Sequence, residues 1–146
     1  MALRIAKSKD FYSIMKMVER FIEVVPFVGL ADIGKLGRIV EDILLSSDLE
    51  KIIFLHEDKG FLAATKNEFP YGFAQVAVEL GWWVEPEYRK SSVGKDLKEA
   101  FEYWATQIGC KGMIMTSFTE QVDKYLSKDG YVPYERTYYK ELKWDS

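Results

Sequence analysis

The stretch from Phe73 to Ile108 constrains the fold more than any other part of the chain. Phe73 to Val84 is rich in β-branched and aromatic residues and predicts the longest strand, with a bulge suggested by Gly81 and an end at Pro86. Ser92 to Ile108 then repeats apolar residues at helical spacing, with Leu97, Ala100, Phe101, Trp104, Ala105 and Ile108 on one face. Gly109 stops that helix, and Met113 to Thr116 forms a short strand. A strand that feeds a helix and returns to a strand is a parallel crossover, so the sheet must contain a parallel pair.

The flanking segments alternate in period. Leu3 to Ala6 predicts an opening strand, and Asp10 offers an N-cap. Phe11, Ile14, Met15, Val18, Phe21, Ile22 and Val25 form one helical stripe, broken by Pro26 and Gly29. Asp32 caps a second helix with the stripe Ile33, Leu36, Val40, Ile43 and Leu44, closed by Ser46-Ser47-Asp48. Lys51 to His56 and Phe61 to Lys66 read as a hairpin around Glu57-Asp58-Lys59-Gly60. Asn67 to Gly72 is a loop. Glu120 to Lys128 is a fourth helix, ended by Asp129-Gly130. Tyr131 to Pro133 and Thr137 to Lys143 predict a final strand pair, with Tyr138, Lys140 and Leu142 on one face. The expected order is β-α-α-β-β-β-α-β-α-β-β: an α/β chain with a mixed, mostly antiparallel central sheet flanked by helices. Without a linker or a repeat, its 146 residues read as one domain, 1–146.

Charge and cysteine usage exclude several roles. There are 20 Lys+Arg against 23 Asp+Glu, a formal charge of −3. No basic excess is available to release counterions from a phosphate backbone, so no nucleic-acid partner is expected. Cys110 and His56 are the only residues of their types. No intrachain disulfide can form, and no thiolate cluster or multi-histidine metal site is expected. No apolar run approaches the ~20 residues that span a bilayer. Met1 to Ser8 has no signal-like apolar region, so the expected setting is a reducing cytoplasm without membrane contact. Self-association as a homodimer is left open.

The chemistry concentrates in Val84-Glu85-Pro86-Glu87-Tyr88-Arg89-Lys90-Ser91-Ser92-Val93-Gly94-Lys95-Asp96-Leu97. Small residues at 91, 92 and 94 permit a tight turn and close approach of a ligand. The turn opens a helix, whose first N–H groups and positive dipole end favour an anion. Arg89, Lys90 and Lys95 add cations. This describes a phosphate or pyrophosphate cradle, against the plainer reading of a capped helix start with a solvated basic rim. Gly29 to Leu36 imitates a P-loop, but Leu36 stands where a Ser or Thr must hold magnesium. No G-x-G-x-x-G occurs, so a Rossmann site has no support.

Arg89-x-x-Ser92-x-Gly94 resembles the [Q/R]-x-x-G-x-[G/A] acyl-CoA pyrophosphate motif of the GNAT N-acetyltransferases. Val84-x-Pro86-x-Tyr88 and the late Asp129-Gly130-Tyr131-Val132-Pro133 are in the same style, and the element order is similar to that three-layer fold along the whole chain. Ser92 departs from the usual glycine. The resemblance implies acetyl transfer from acetyl-CoA, as co-substrate, to a primary amine of a small molecule or protein. It implies that backbone groups near Trp82 and Val84 contact pantetheine. Amides of Ser92, Val93, Gly94 and Lys95 would hold the pyrophosphate, with Arg89, Lys90 and Ser91 around them. Thr119 stands where the family often has an asparagine.

The reaction needs a base and an acid. Glu79 is the only ionisable group in the long strand upstream of the turn. It is either that base, acting through water, or an outward-facing strand carboxylate. The family's acid is a tyrosine before a Gly-aromatic pair. Tyr125 precedes Gly130 by five residues rather than the usual four, and Leu126 holds the usual slot; Tyr131, Tyr138 and Tyr139 are fallbacks. Glu85 and Glu87 flank the entrance and are equally compatible with solvation. His56 reads as an exposed turn residue and Cys110 as a buried apolar group. Trp82 and Trp83 point to opposite faces. Phe69, Tyr71 and Phe73 either line an acceptor pocket or pack in the core. The alternative function is a non-catalytic acyl-CoA-binding module on the same fold. An aromatic-rich assembly protein is the weaker third reading.

Overall fold

The computed structural model describes residues 3–25 and 28–143. Five strands form one sheet in the order β1 (Leu3–Ile5), β2 (Lys51–His56), β3 (Gly60–Glu68), β4 (Gln75–Val84) and β5 (Gly112–Ile114). Neighbours are antiparallel except β4 and β5, the expected parallel pair. Helices α1 (Phe11–Glu23) and α2 (Ile33–Leu45) precede β2, α3 (Val93–Gln107) joins β4 to β5, and α4 (Glu120–Lys128) follows.

The stripes expected from spacing each bury against one face of the sheet. Ile14, Met17 and Val18 of α1 and Val40 and Ile43 of α2 pack with Ile53, Leu55, Phe61 and Trp83. Leu97, Phe101, Trp104 and Ala105 of α3 cover Ile52, Phe54, Leu62 and Ala77 on the other. Burying a large side chain of this kind contributes roughly 1.5–3 kcal/mol, so the two cores supply most of the stabilisation. Between them β3 and β4 slip register. Ala63 faces Gly81 and Ala64 faces Glu79, so Leu80 has no cross-strand partner. The bulge shifts the alternation of β4. Ala77 belongs to the α3 side before it, whereas Trp83 lies on the α1 side and Trp82 on the α3 side after it.

Three local expectations need correction. Asp10 occupies the N-cap position of α1 but makes no side-chain bond to that helix. It accepts from the Lys7 amide (2.8 Å) and from both terminal nitrogens of Arg4 (2.8 Å each), because the preceding 3-10 turn places those donors closer. Asp32 does cap α2, accepting from Lys35 N–H at 2.8 Å. His56 is not exposed: its side chain is 12% accessible and Nε2 lies 3.7 Å from Asp96. Residues 131–143, read as two strands, carry no strand ladder. Their alternating pattern has no second core to bury against, and Val132, Tyr138 and Leu142 stay 75–81% exposed. The Tyr134 ring instead reaches Phe69, 6.1 Å between centroids. Pro26, expected to end α1, lies outside the described residues.

Candidate active site

Strand β4 is longer than its neighbour. β5 pairs with it only over Val76–Val78, so from Glu79 to Val84 its outer edge has no strand partner among the described residues. Glu85 N–H bonds Lys59 O (2.8 Å) across the β3 side. By alternation, Trp82 and Val84 turn their backbone groups to the free edge. There the Val84 carbonyl accepts from Arg89 Nε at 3.0 Å.

The turn after β4 leads into α3. Arg89 and Ser91 use their amides internally, on Pro86 O (3.3 Å) and Tyr88 O (3.1 Å). Val93 N–H makes a long 3.3 Å bond to Ser91 Oγ. The first helical bond joins Asp96 N–H to Ser92 O (2.8 Å). Among the described residues, the amides of Lys90, Ser92, Gly94 and Lys95 have no acceptor. Ser92 holds the N-cap position, yet its hydroxyl donates to Asp96 (3.1 Å) rather than capping. Gly94 sits against the free edge: a Cβ there would stand 3.4 Å from Val84 and 3.7 Å from Trp82. Exposed Lys90 and Lys95 rim the turn, while the Arg89 guanidinium stacks over Trp83 at 4.7 Å. Free N–H groups at a helix start, with cations beside them, can hold a diphosphate.

Glu79 lies at the bulge and is 7% exposed, so the outward-facing alternative does not hold. Its hydrogen bond comes from Thr116 N–H at 3.1 Å, where the chain leaves β5. Burial pushes the carboxyl up to about 7, and the Thr116 bond offsets this only in part. A carboxylate so poised can take a proton near neutral pH.

Tyr125 faces the α3 side of the sheet, 6.2 Å from the Trp82 ring, while Leu126 fills the core at 6% exposure. Beneath it lies a buried cation. Lys98, 2% exposed, pairs with Glu102 (3.1 Å) and Asp129, and stands 5.5 Å from the Tyr125 ring centroid. Burial alone would lower the Lys98 pKa, but its two carboxylates more than offset that and hold it raised. Burial likewise raises the Tyr125 phenol, opposed by the Lys98 charge. Tyr131 donates its hydroxyl to Glu102 (2.9 Å) and is already committed. Trp82 Nε1 is buried with no partner among the described residues, an unsatisfied donor on the same side as Tyr125.

Comparison with known proteins shows the family and the fold. Residues 35–131 match the family described as the acetyltransferase (GNAT) family. The chain belongs to the GNAT acetyltransferases. Solved structures share the fold. The aminoglycoside acetyltransferase AAC(6')-Iy with a CoA bisubstrate analogue aligns at 22% identity over 97% of each chain, with a TM-score of 0.74. AAC(6')-IG from Acinetobacter haemolyticus aligns at 17% identity over 99% of this chain and 100% of its own, TM-score 0.74. A Trypanosoma brucei acetyltransferase aligns at 21% identity over 96% and 98%, TM-score 0.70. No curated protein sequence matches the chain.

Within this GNAT fold, Trp82, Val84 and the 89–95 turn adjoin one another, and Glu79 and Tyr125 lie on the same strand and beside it. Thr119 is the N-cap of α4, its hydroxyl oxygen accepting from Val122 N–H at 3.2 Å, with its own O–H donor still available. Tyr138 and Tyr139 sit on the exposed tail. Glu85 is not solvated but 4% exposed, bonded to Arg20 at 2.9 Å. Phe73 is 91% exposed and does not pack in a core. Two contributors escaped the sequence reading. Thr116 acts through its backbone and leaves no side-chain signal. Lys98 was visible as a cation in the apolar stripe of α3, three residues before Phe101 and seven before Ala105. Among the described residues, no group of three or more His, Cys, Asp or Glu could hold a metal ion. No described helix is long and apolar enough to cross a membrane.

Proposed function

We propose that residues 1–146 act as one domain that transfers an acetyl group from acetyl-CoA to a primary amine. The observation that carries this reading is the set of unpaired amides at Ser92, Gly94 and Lys95, adjoining the unpaired edge of β4. These groups fit CoA by chemistry. The helix start offers donors and Lys90 and Lys95 offer charge for a diphosphate, while the backbone of Trp82 and Val84 offers partners for the amides of pantetheine. The CoA and bisubstrate complexes of AAC(6')-Iy support the same reading.

The thioester supplies an activated acyl carbon. Glu79, as carboxylate, takes a proton from the ammonium through water, which frees the nitrogen lone pair for attack. The nitrogen bonds to the thioester carbon, the carbon–sulfur bond breaks and Tyr125 gives its hydroxyl proton to the thiolate; the phenolate then takes the second proton from the nitrogen, leaving the neutral amide and free CoA thiol, while the first proton passes from Glu79 to solvent. The Lys98 charge favours the phenolate, but burial and the Asp129 and Glu102 carboxylates outweigh it and hold the Tyr125 phenol raised, so the ring keeps its proton until the thiolate forms. A cytoplasmic setting suits a chain whose one cysteine has no disulfide partner.

The test is release of free thiol from acetyl-CoA across an amine panel. Amine-dependent release that falls roughly 10²–10⁴-fold in Glu79→Gln is expected. Release that Glu79→Gln leaves unchanged would remove Glu79 from the reaction, and no release with any amine would favour the non-catalytic module.

A further inference from the structure

Tyr125 stands in the last turn of α4, the part of a helix that frays first. The helix has nine residues, fewer than the ~12–15 that hold together alone in water. Leu126 is its one buried side chain among the described residues. An acid must meet the leaving group at one place, so something beyond Leu126 has to keep this turn formed.

The holding group is on α3. Lys98 and Glu102 stand one turn apart and face the end of α4 together. Lys98 Nζ donates to Asp129, the C-cap residue of α4, and Glu102 accepts the Tyr131 hydroxyl at 2.9 Å just beyond it. The Tyr125 and Tyr131 rings close over the ammonium, with centroids 5.5 and 5.8 Å away. Leu97 and Phe101, both fully buried, fix this stretch of α3 in the core, so the grip is mounted on a rigid element. Asp129 follows Tyr125 by four residues, and the anchored carboxylate and the phenol therefore share one face of α4. To fray, the turn carrying Tyr125 must break the Lys98 pair. The same ring meets Trp82, 6.2 Å between centroids, whose backbone lines the open edge of β4.

We infer that Lys98 is the positioning residue of the proposed acid: its grip on Asp129 pins the end of α4 to α3 and so fixes the Tyr125 ring beside the open edge of β4. The role is mechanical, since the ammonium is committed to two carboxylates. This rests on the acyltransferase reading above and adds how its acid is held.

The experiment uses the full chain and the variants Lys98→Met, Tyr125→Phe and the two combined. Methionine keeps an unbranched apolar stem and removes the ammonium. The Glu102 and Asp129 side chains are 25% and 46% exposed, so water can solvate the carboxylates left behind. The readouts are kcat and KM with an amine that is turned over, acetyl-CoA affinity by titration, and amide hydrogen exchange resolved to α1 and α4. Lys98→Met should lower kcat about tenfold or more, as displacing a reacting group by about an ångström does, with acetyl-CoA affinity unchanged. The double variant should be no slower than Tyr125→Phe, because a ring without its hydroxyl leaves nothing to position. Exchange in α4 should be about tenfold faster while α1 keeps its protection. Asp129→Asn, at an exposed position, should move kcat and α4 exchange the same way, and it carries the test if Lys98→Met does not fold. An unchanged kcat, wild-type exchange in α4, or a loss that adds to that of Tyr125→Phe would overturn the inference while leaving acetyl transfer intact. Tyr125→Phe at the wild-type rate would instead remove the acid, and this inference with it. Without turnover of any amine the transferase reading fails; faster exchange confined to α4 then sustains the clamp, and wild-type exchange overturns it.

Discussion

Glu79 shows how one residue's environment sets its chemistry. Removing a carboxylate from water disfavours its charged form, and a single backbone N–H cannot restore the lost hydration. Its folded pKa of about 7 lies above the ordinary carboxylate range, so the folded state binds the extra proton. Stability from this group therefore falls as pH rises from the unfolded value toward about 7. Glu79→Gln should consequently gain melting temperature over wild type at pH 8 and lose that gain at pH 5, a difference read by thermal unfolding at the two pH values. In activity the sign is reversed, because the base must be ionised. The kcat/KM profile should rise with pH through an acid limb near 7, and that limb should vanish in Glu79→Gln. Tyr125→Phe should lower kcat by roughly 10²-fold with little change in acetyl-CoA affinity. A variant as fast as wild type would assign the acid elsewhere.

At the level of elements, the meeting of β3, β4 and α3 decides the geometry. Gly60 starts β3 where a Cβ would stand 2.6 Å from the Trp83 carbonyl oxygen, so only glycine lets the hairpin close against β4. Gly60→Ala should cost about 1–3 kcal/mol in chemical denaturation, as overpacking does. Unchanged stability would mean the backbone yields there. Much of this layer was legible beforehand. The 3.6-residue stripes of α1, α2 and α3 and the apolar runs of β2 to β4 were readable because each had a sheet face or a helix to bury against. Gly81 announced the bulge, but the unpaired residue is Leu80, since register depends on the partner strand and not on the glycine. The tail shows the converse. Tyr138, Lys140 and Leu142 alternate as a strand should, yet alternation makes a strand only where a neighbouring edge and a core receive it.

For the whole molecule, ion pairs tie the helical layer to the sheet ends. Arg4 grips Asp10 with two bonds of 2.8 Å, joining β1 to the start of α1, and Arg20 of α1 reaches Glu85 at the end of β4. The hydrogen bonds from Arg4 hold Asp10 at about 2, well below its ordinary range. Its contribution is present above the unfolded carboxylate range and is lost as pH falls toward about 2. Asp10→Asn should therefore melt below wild type at pH 7, with the gap closing in acid. The cradle was legible because it is contiguous, with Arg89, Ser92 and Gly94 inside one turn. The setting of Glu79 was not, because the Thr116 amide that bonds it at 3.1 Å comes from a separate element and meets it only after folding. The central claim is that the 89–95 turn presents free main-chain donors to a diphosphate. Isothermal titration of acetyl-CoA into wild type and Gly94→Asp measures it most directly. The account predicts saturable binding to wild type, weakened about tenfold or more by a carboxylate placed among those donors. Absence of binding at millimolar acetyl-CoA, or equal affinity in the variant, would contradict it.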